Sequence, residues 1–326
     1  MRVIKKLPSA SHVLDTYWKF AAERQEIFFK RINGETLLTT DPILLKHKFT
    51  NAYRATDRVS QYLISEVIYK GDQTPDELLF RILLFKLFNK IETWQLLQAE
   101  LGMLSWQSYS FKHYSRILHQ ALQAGERVYS GAYMMASGQS AFGYARKHEN
   151  HLKLLEQMMR LHLADQITGA PSFEAVYKLL LNFPAIGQFL AYQYAIDINY
   201  SNLTNFSEMD FVMPGPGAKD GIRKCFYSLG DYTETDIIKY VTDLQEQEFA
   251  RLNINFKTLW GRQLQLIDCQ NLFCETGKYA RMAHPEAGGI SGRTRIKQLY
   301  KNNYQPITYF FPPKWGLNDK TGISGS

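Results

Sequence analysis

The chain has 326 residues, of which 45% are hydrophobic, 21% charged and 14% aromatic, a composition that supports a large globular core and excludes a low-complexity or fibrous protein. A net charge of +7 favours an anionic partner, nucleic acid foremost. Cys225, Cys269 and Cys274 cannot all pair and form no C-x-x-C, which argues against a disulfide framework, a zinc ribbon or an iron–sulfur cluster. No stretch reaches the roughly 18 apolar residues of a membrane span, and no apolar core follows the basic start Met1–Lys6. The expectation is a soluble, cytoplasmic protein with no membrane association.

Helical periodicity predicts helices over roughly 12–31, 46–69, 78–94, 112–125, 145–167, 172–182, 187–197, 234–251 and 260–280. Leu37–Thr39 and Pro306–Phe311 are the two short strand candidates. On a helix over 46–69, Asn51, Arg54, Arg58, Gln61 and Tyr62 share one face, while Ala52, Ala55, Val59, Leu63 and Val67 share the other. Thr74-Pro75-Asp76-Glu77 predicts a helix start, with Thr74 as N-cap and Pro75 at the first helical position. In the run that follows, Leu79, Ile82, Leu83, Phe85 and Leu87 are too dense for a surface helix, so it should be buried. His148 and His151 sit three apart, but no third ligand is spaced to suit zinc; no metal is expected.

Ser172 can cap a helix with Val176, Leu179 and Leu180 inward. Phe183-Pro184-Ala185-Ile186-Gly187 then turns the chain, and Gly187 opens a helix carrying Phe189, Leu190, Tyr194 and Ile198. Free amides at such a helix start suit a phosphate. Residues 198–233, with Pro214, Gly215, Pro216, Gly217 and Gly230, predict an ordered loop with a short helix near 218–227. Within it lies Asp210, twenty-three residues past Gly187, with Glu208 as the rival carboxylate. Farther on, Asp268, Asn271, Glu275 and Lys278 form one helical stripe opposite Cys269, Leu272 and Phe273. Gly288, Gly289 and Gly292 mark a loop. From Lys278 to Lys301 six Lys or Arg face one acid, Glu286, and with Tyr279 and Tyr300 they suit a phosphate-backbone track. No G-x-x-x-x-G-K-[ST] occurs, and the Pro214–Gly217 loop leads to Lys219 without a hydroxyl residue to hold magnesium, which sets a kinase reading aside.

The turn Phe183-Pro184-Ala185-Ile186-Gly187-x-x-x-Ala191 resembles the hairpin of the helix-hairpin-helix DNA glycosylases, in which a downstream aspartate is catalytic. Ala185 replaces that motif's first glycine, which implies a turn conformation open to an L-residue, and Phe189 stands where lyase-competent relatives carry a lysine. Three longer blocks, Phe49–Leu63, Pro214–Phe226 and Leu266–Arg281, resemble the α-glutamyl/putrescinyl thymine pyrophosphorylase family, related to the helical domain of hydroxymethyluracil DNA kinases. Some bacterial members of that family are anti-phage glycosylases that excise hypermodified bases.

The resemblance implies a mostly α, two-lobed fold of the helix-hairpin-helix glycosylase type. It would be one bilobal domain over 1–326, with the hairpin at about 172–198 and a catalytic loop at about 205–226. The activity it implies is monofunctional hydrolysis of the N-glycosidic bond of hypermodified pyrimidines in phage DNA, with α-glucosyl-5-hydroxymethylcytosine first, leaving abasic sites. Asp210 would stabilise the oxocarbenium ion of a flipped nucleotide, without a cofactor. Asn51, Tyr53, Arg54, Asp57, Arg58, Gln61, Asp268, Asn271, Glu275 and Lys278 would line the base pocket. Ile186, Gly187, Gln188, Gly215, Gly217, Lys219, Arg223, Lys224, Tyr279, Arg281, Arg293 and Arg295 would hold the DNA backbone. DNA is the partner, and no protein partner is implied. The alternatives are an enzyme that processes hypermodified thymine in phage DNA, of pyrophosphorylase type, and a non-catalytic DNA-binding module.

Overall fold

A computed structural model describes residues 5–131, 141–301 and 307–321. In chain order these form β1 (Ser9–Ala10), α1 (Val13–Ile32), α2 (Pro42–Lys46), α3 (Arg58–Tyr62), α4 (Pro75–Phe88), α5 (Ile91–Leu101), α6 (Phe111–Gln123) and α7 (Lys147–Arg160). There follow α8 (Leu163–Thr168), α9 (Phe173–Leu181), α10 (Gln188–Asn199), α11 (Pro216–Cys225), β2 (Phe226–Ser228), α12 (Glu234–Asp243), α13 (Gln245–Arg251) and α14 (Leu266–Ala283). The protein is mostly helical. The sheet is one short antiparallel pair, with Ser9 opposite Ser228 and Ala10 opposite Phe226. Among the described residues, no helix is long and apolar enough to cross a membrane, and the three cysteines are free.

The chain divides into two compact units, Met1–Asp57 with Phe211–Ile307 and Arg58–Asp210 with Thr308–Ser326. The first is built around α14, which packs against α1, α2, α11 and α12. Its apolar content is aromatic: Tyr17 and Trp18 are fully buried, Tyr17 lies 4.6 Å from Phe273 between ring centroids, and its hydroxyl donates to Cys269 O at 3.1 Å. The tightest approach is between α11 and α14. A Cβ on Gly221 would stand 1.9 Å from Phe273 O, and one on Gly277 would stand 2.7 Å from the Gly221 Cα. Two backbones this close require glycine on both sides.

In the second unit α4 is the core helix, with every residue from Leu78 to Phe88 buried. Lys86 on α4 meets Asp197 on α10 at 2.7 Å, and the Lys86 ammonium also donates to Asn89 Oδ1 at 3.1 Å. Two ions so deeply placed are tolerated only as a pair, since removing one would leave the other desolvated and alone. His148 and His151 belong to the core on α7: the Tyr129 hydroxyl and His151 Nδ1 lie 3.0 Å apart, and burial lowers the His148 pKa.

Several sequence expectations change. The helix expected over 46–69 does not form as one element. His47 leaves α2 extended, at φ −116° and ψ 148°, and bridges Leu299 antiparallel; a single 3-10 turn follows at Arg54–Thr56, and α-helix resumes only at Arg58 and widens into a π-turn at Leu63–Ile68. The run over 78–94 is cut at Asn89, which takes the left-handed conformation at φ 48°. The run over 145–167 is cut at His162, also left-handed at φ 52°. The other long runs begin or break elsewhere too: 234–251 pauses at Leu244, and 260–280 begins only at Leu266. Thr74 occupies the N-cap position of α4 without a capping side chain; its amide donates instead to Asp72 Oδ1 at 2.8 Å. Neither strand candidate forms. Thr39 is held through its side chain to Glu23, and the amides of Phe310 and Phe311 donate to the side chains of Gln61 and Asn318. Pro306 lies outside the described residues.

The α11–α14 crossing predicts that Gly221→Ala destabilises the protein by about 3 kcal/mol or more, because the obstacle is helix backbone and cannot rotate away. Urea unfolding followed by circular dichroism checks this; an unchanged midpoint would show that the helices do not approach so closely.

Candidate functional site

The first and third sequence blocks meet within the first unit. Arg24, buried on α1, donates from Nε to Thr50 O at 2.9 Å and from Nη2 to Asn51 Oδ1 at 2.9 Å. Asn51 is spent inside the loop, with Nδ2 on Thr56 O at 3.1 Å and its amide on Asp57 Oδ1 at 3.0 Å. The Arg54 amide donates to Asp268 Oδ1 at 2.9 Å, while Asp268 Oδ2 accepts from the Gln265 amide at 3.0 Å and so caps α14. About two turns farther on, Glu275 Oε2 accepts from the Thr50 amide at 3.0 Å and from Lys278 Nζ at 2.7 Å, and that ammonium sits 4.5 Å from the Phe49 ring centroid. Tyr53, 1% exposed, donates its hydroxyl to Arg262 O at 2.6 Å.

The expected polar face of a helix is therefore a loop, residues 47–57, with one 3-10 turn at Arg54–Thr56, stitched to α14 by its own amides. Asn51, Arg54, Asp268 and Glu275 are buried, and the bonds described hold the loop in place. Desolvation shapes the charges here. It pushes the half-buried Asp57 carboxyl from 3.8 up to about 6, against the pull of the Asn51 amide and Arg24, and lowers the Arg24 guanidinium to about 10. Arg24 was not singled out from sequence, because a lone arginine within an amphipathic helix carries no local signal.

The remaining pocket candidates lie elsewhere. Asn271 is half-buried on α14, Arg58 half-buried at the start of α3, and Gln61, buried in the second unit, accepts the Phe310 amide at 2.8 Å. Asp210 is solvent-exposed in a turn closed by its own amide on Ser207 O at 3.2 Å, whereas Glu208 is buried.

The hairpin forms between α9 and α10. Ser172 caps α9 through the Ala175 amide at 3.1 Å, with Val176 and Leu180 buried and Leu179 only partly so. Gly187 and Gln188 are exposed at the start of α10, where the first intrahelical bond is Ala191 N to Gly187 O at 2.9 Å; Ile186 is buried beneath. Ala185 does not relax into an L-residue conformation. Its backbone is left-handed, at φ 63°.

The middle block forms α11, with Gly215 as N-cap and Pro216 at the first position. Gly217 faces Cys274, whose Sγ would lie 2.3 Å from an added Cβ. Lys224 is buried: Nζ donates to Gly277 O at 2.9 Å and stands 3.8 Å from Asp220, whose Oδ1 accepts the Ser291 amide at 2.7 Å. Lys224 thus holds the fold and does not reach a phosphate. Arg223 is exposed and pairs with Glu234 at 2.7 Å, and Lys219 is half-buried. Tyr279 donates to Asp41 Oδ2 at 2.6 Å, and Arg281 Nη1 reaches Arg295 O at 3.4 Å.

Solvent-facing positive charge collects on one edge of the same unit. The bridge between His47 and Leu299 is flanked by Lys48 N donating to Gln298 O at 3.0 Å and Tyr300 N donating to Lys46 O at 3.0 Å. His47 is buried, so the alternation of extended chain turns Lys46 and Lys48 outward. Lys46, Lys48, Arg293, Arg295, Lys297 and Lys301 are all exposed.

The family described as 5-hmdU DNA kinase, helical domain, matches residues 11–289. The chain belongs to this family. It is also similar to a 5-hmdU DNA kinase of Bacillus phage SP10, 27% identical over 308 residues that cover 87% of this chain and 48% of that protein. The chain thus spans about half the length of the curated relative it matches. No solved structure matches it at a significant level.

These matches correct the functional expectation. The family is one that handles modified thymine through kinases, not the pyrophosphorylase or glycosylase family, and the assignment as an N-glycosylase acting on glucosylated cytosine is overturned. The likeness at the hairpin is a likeness of backbone motif. A helix-hairpin-helix serves any protein that packs two helices across a tight turn, and spacing to an aspartate carries no chemistry unless that aspartate is sheltered beside a substrate. The lack of a phosphate-binding loop does not set a kinase connection aside, because the matched family is the helical domain of a kinase.

Two outcomes follow from this geometry. Asp57 has a folded pKa above its unfolded value, so its protonated form favours folding: that contribution is complete below 3.8 and is lost as the pH rises through about 6. Asp57→Asn should therefore gain stability relative to wild type between pH 5 and pH 7.5, read as the change in urea midpoint difference; a difference independent of pH would contradict it. Ala185→Gly should stabilise the hairpin by about 1 kcal/mol by removing left-handed strain, a rise in melting temperature that an unchanged or lowered value would refute.

Proposed function

We propose that this chain is the DNA-handling helical module of a system that phosphorylates 5-hydroxymethyluracil in DNA. The family match across residues 11–289 is the observation that carries this reading, with the phage kinase relative as its support. In this reading the phosphoryl donor is bound outside the matched helical domain, whose phage relative is about twice the length that this chain covers.

The chemistry suits such a division of labour. A 5-substituent on a thymine-type base projects into the major groove of B-DNA, where a phosphoryl donor can reach it without everting the nucleotide. Phosphoryl transfer depends mainly on positioning and on neutralising charge, so a module that grips the DNA backbone contributes by fixing the hydroxymethyl oxygen in line with its donor. The exposed basic edge formed by Lys46, Lys48, Arg295, Lys297 and Lys301 supports this role, because extended chain with alternate side chains outward presents a row of cations along a phosphate backbone.

Fluorescence anisotropy on matched duplexes containing thymine or 5-hydroxymethyluracil, at several salt concentrations, tests the proposal. The modified duplex should bind about fivefold more tightly, the worth of one added hydrogen bond. Joint replacement of Lys46, Lys48 and Lys297 by Ala should weaken both duplexes alike and reduce the salt slope by about 3. Equal affinity for the two duplexes at every salt concentration would overturn the reading.

A further inference from the structure

Beside the helix ends of the first unit, three side chains from two distant parts of the sequence converge. His12 stands at the start of α1, and His284 and Glu286 lie just past the end of α14. His12 Nε2 is 3.1 Å from Glu286 Oε1, and His284 Nδ1 is 3.6 Å from that same oxygen. One donor atom from each of the three residues lies within 4.8 Å of the other two.

A simple ion pair between His12 and Glu286 accounts for one of these contacts only. It leaves His284 Nδ1 aimed at the same oxygen from beyond hydrogen-bond distance. The other nitrogen of that ring, Nε2, is 2.7 Å from the Thr16 hydroxyl on α1. When Nε2 carries the proton and donates to Thr16, Nδ1 presents its lone pair to the centre of the cluster. That is how a neighbouring acceptor orients a metal-binding imidazole. Bonds of 2.0–2.1 Å in a tetrahedral zinc site separate neighbouring ligand atoms by roughly 3.3 Å, and the distances of 3.1 and 3.6 Å bracket that spacing.

We propose that His12, His284 and Glu286 form a zinc site, with Thr16 as the positioning residue that holds the His284 ring in orientation. Two imidazoles and one carboxylate select a transition metal over magnesium or calcium, which prefer all-oxygen shells. Zinc takes three protein ligands here, and solvent completes the tetrahedron at the exposed side. The bound ion ties the first turn of α1 to the chain that leaves α14, at the root of the segment that carries Arg293 and Arg295. This assignment does not depend on the proposed role in DNA phosphorylation and is measured without DNA.

Tag-free protein stripped with chelator and titrated calorimetrically with zinc chloride, then with magnesium chloride, provides the test. One zinc ion per chain should bind, magnesium should give no saturable signal, and zinc should raise the melting temperature. His12→Gln, at an exposed position that the fold does not need, and His284→Gln should each lower zinc affinity at least ~100-fold, and Thr16→Val roughly 10-fold. Cobalt substitution should give the intense visible absorption of a four-coordinate ion. Absence of saturable zinc binding, or wild-type affinity in the His12→Gln and His284→Gln proteins, would overturn the site. A Thr16→Val protein identical to wild type would overturn the positioning role.

Discussion

The backbone-to-backbone approach of α11 and α14, made possible by Gly221 and Gly277, is the constraint on which the first unit depends. With no side chains between them, the two helices close far enough to draw Asp220 and Lys224 inside, where Lys224 reaches the Gly277 carbonyl and Asp220 takes the Ser291 amide. A buried cation and anion cost several kcal/mol each to desolvate, so the contacts that satisfy them must all form together. That requirement clamps the glycine loop after α14: Gly289 lies so close to Asp220 and Lys224 that a Cβ there would collide with both. The loop's course in turn sets where Arg293, Arg295 and Lys297 emerge.

A second network of the same kind explains why the most recognisable residues are not the most accessible ones. Arg24, Asn51, Asp57, Asp268 and Glu275 secure an irregular loop in which the amides of Thr50, Asn51 and Arg54 are paired by carboxylates instead of by helix or sheet. Buried amides must be paired, and side chains from α1 and α14 supply what regular secondary structure would otherwise provide. Polar residues at fixed spacing are the natural signature of such a loop. The same residue types would read a base edge, which is why sequence alone invites that reading.

The functional question turns on where a modified base is attacked. Excision requires access to the anomeric carbon and a sheltered carboxylate, while chemistry at a 5-hydroxymethyl group takes place at the groove edge. An exposed Asp210 and a row of exposed cations suit the second demand better than the first. The resemblance to glycosylases is confined to Phe183–Ala191, where the chain turns between α9 and α10 with Ala185 at φ 63°, a conformation that costs an L-residue energy.

Much of the fold was legible from the residues alone. The helical class, the burial of the α4 run, the Ser172 cap and the Gly187 helix start all follow from patterns within a few residues of one another, and so depend only on local sterics and periodicity. The helix breaks at His47, Asn89, His162 and Leu244 did not show, because each is decided by a partner far along the chain or by a backbone conformation with no required residue type. The polar networks and the His12–His284–Glu286 cluster were likewise invisible. They join residues that lie up to 225 positions apart in the networks and on either side of most of the first unit in the cluster, and only when α1, α11 and α14 pack does each donor meet its acceptor. Sequence by itself determined the helical class, the buried α4 run and the excess positive charge of the chain; tertiary packing decided where the helices break, which charges are consumed inside the fold and which are left for a ligand, since that depends on distance in space and not along the chain.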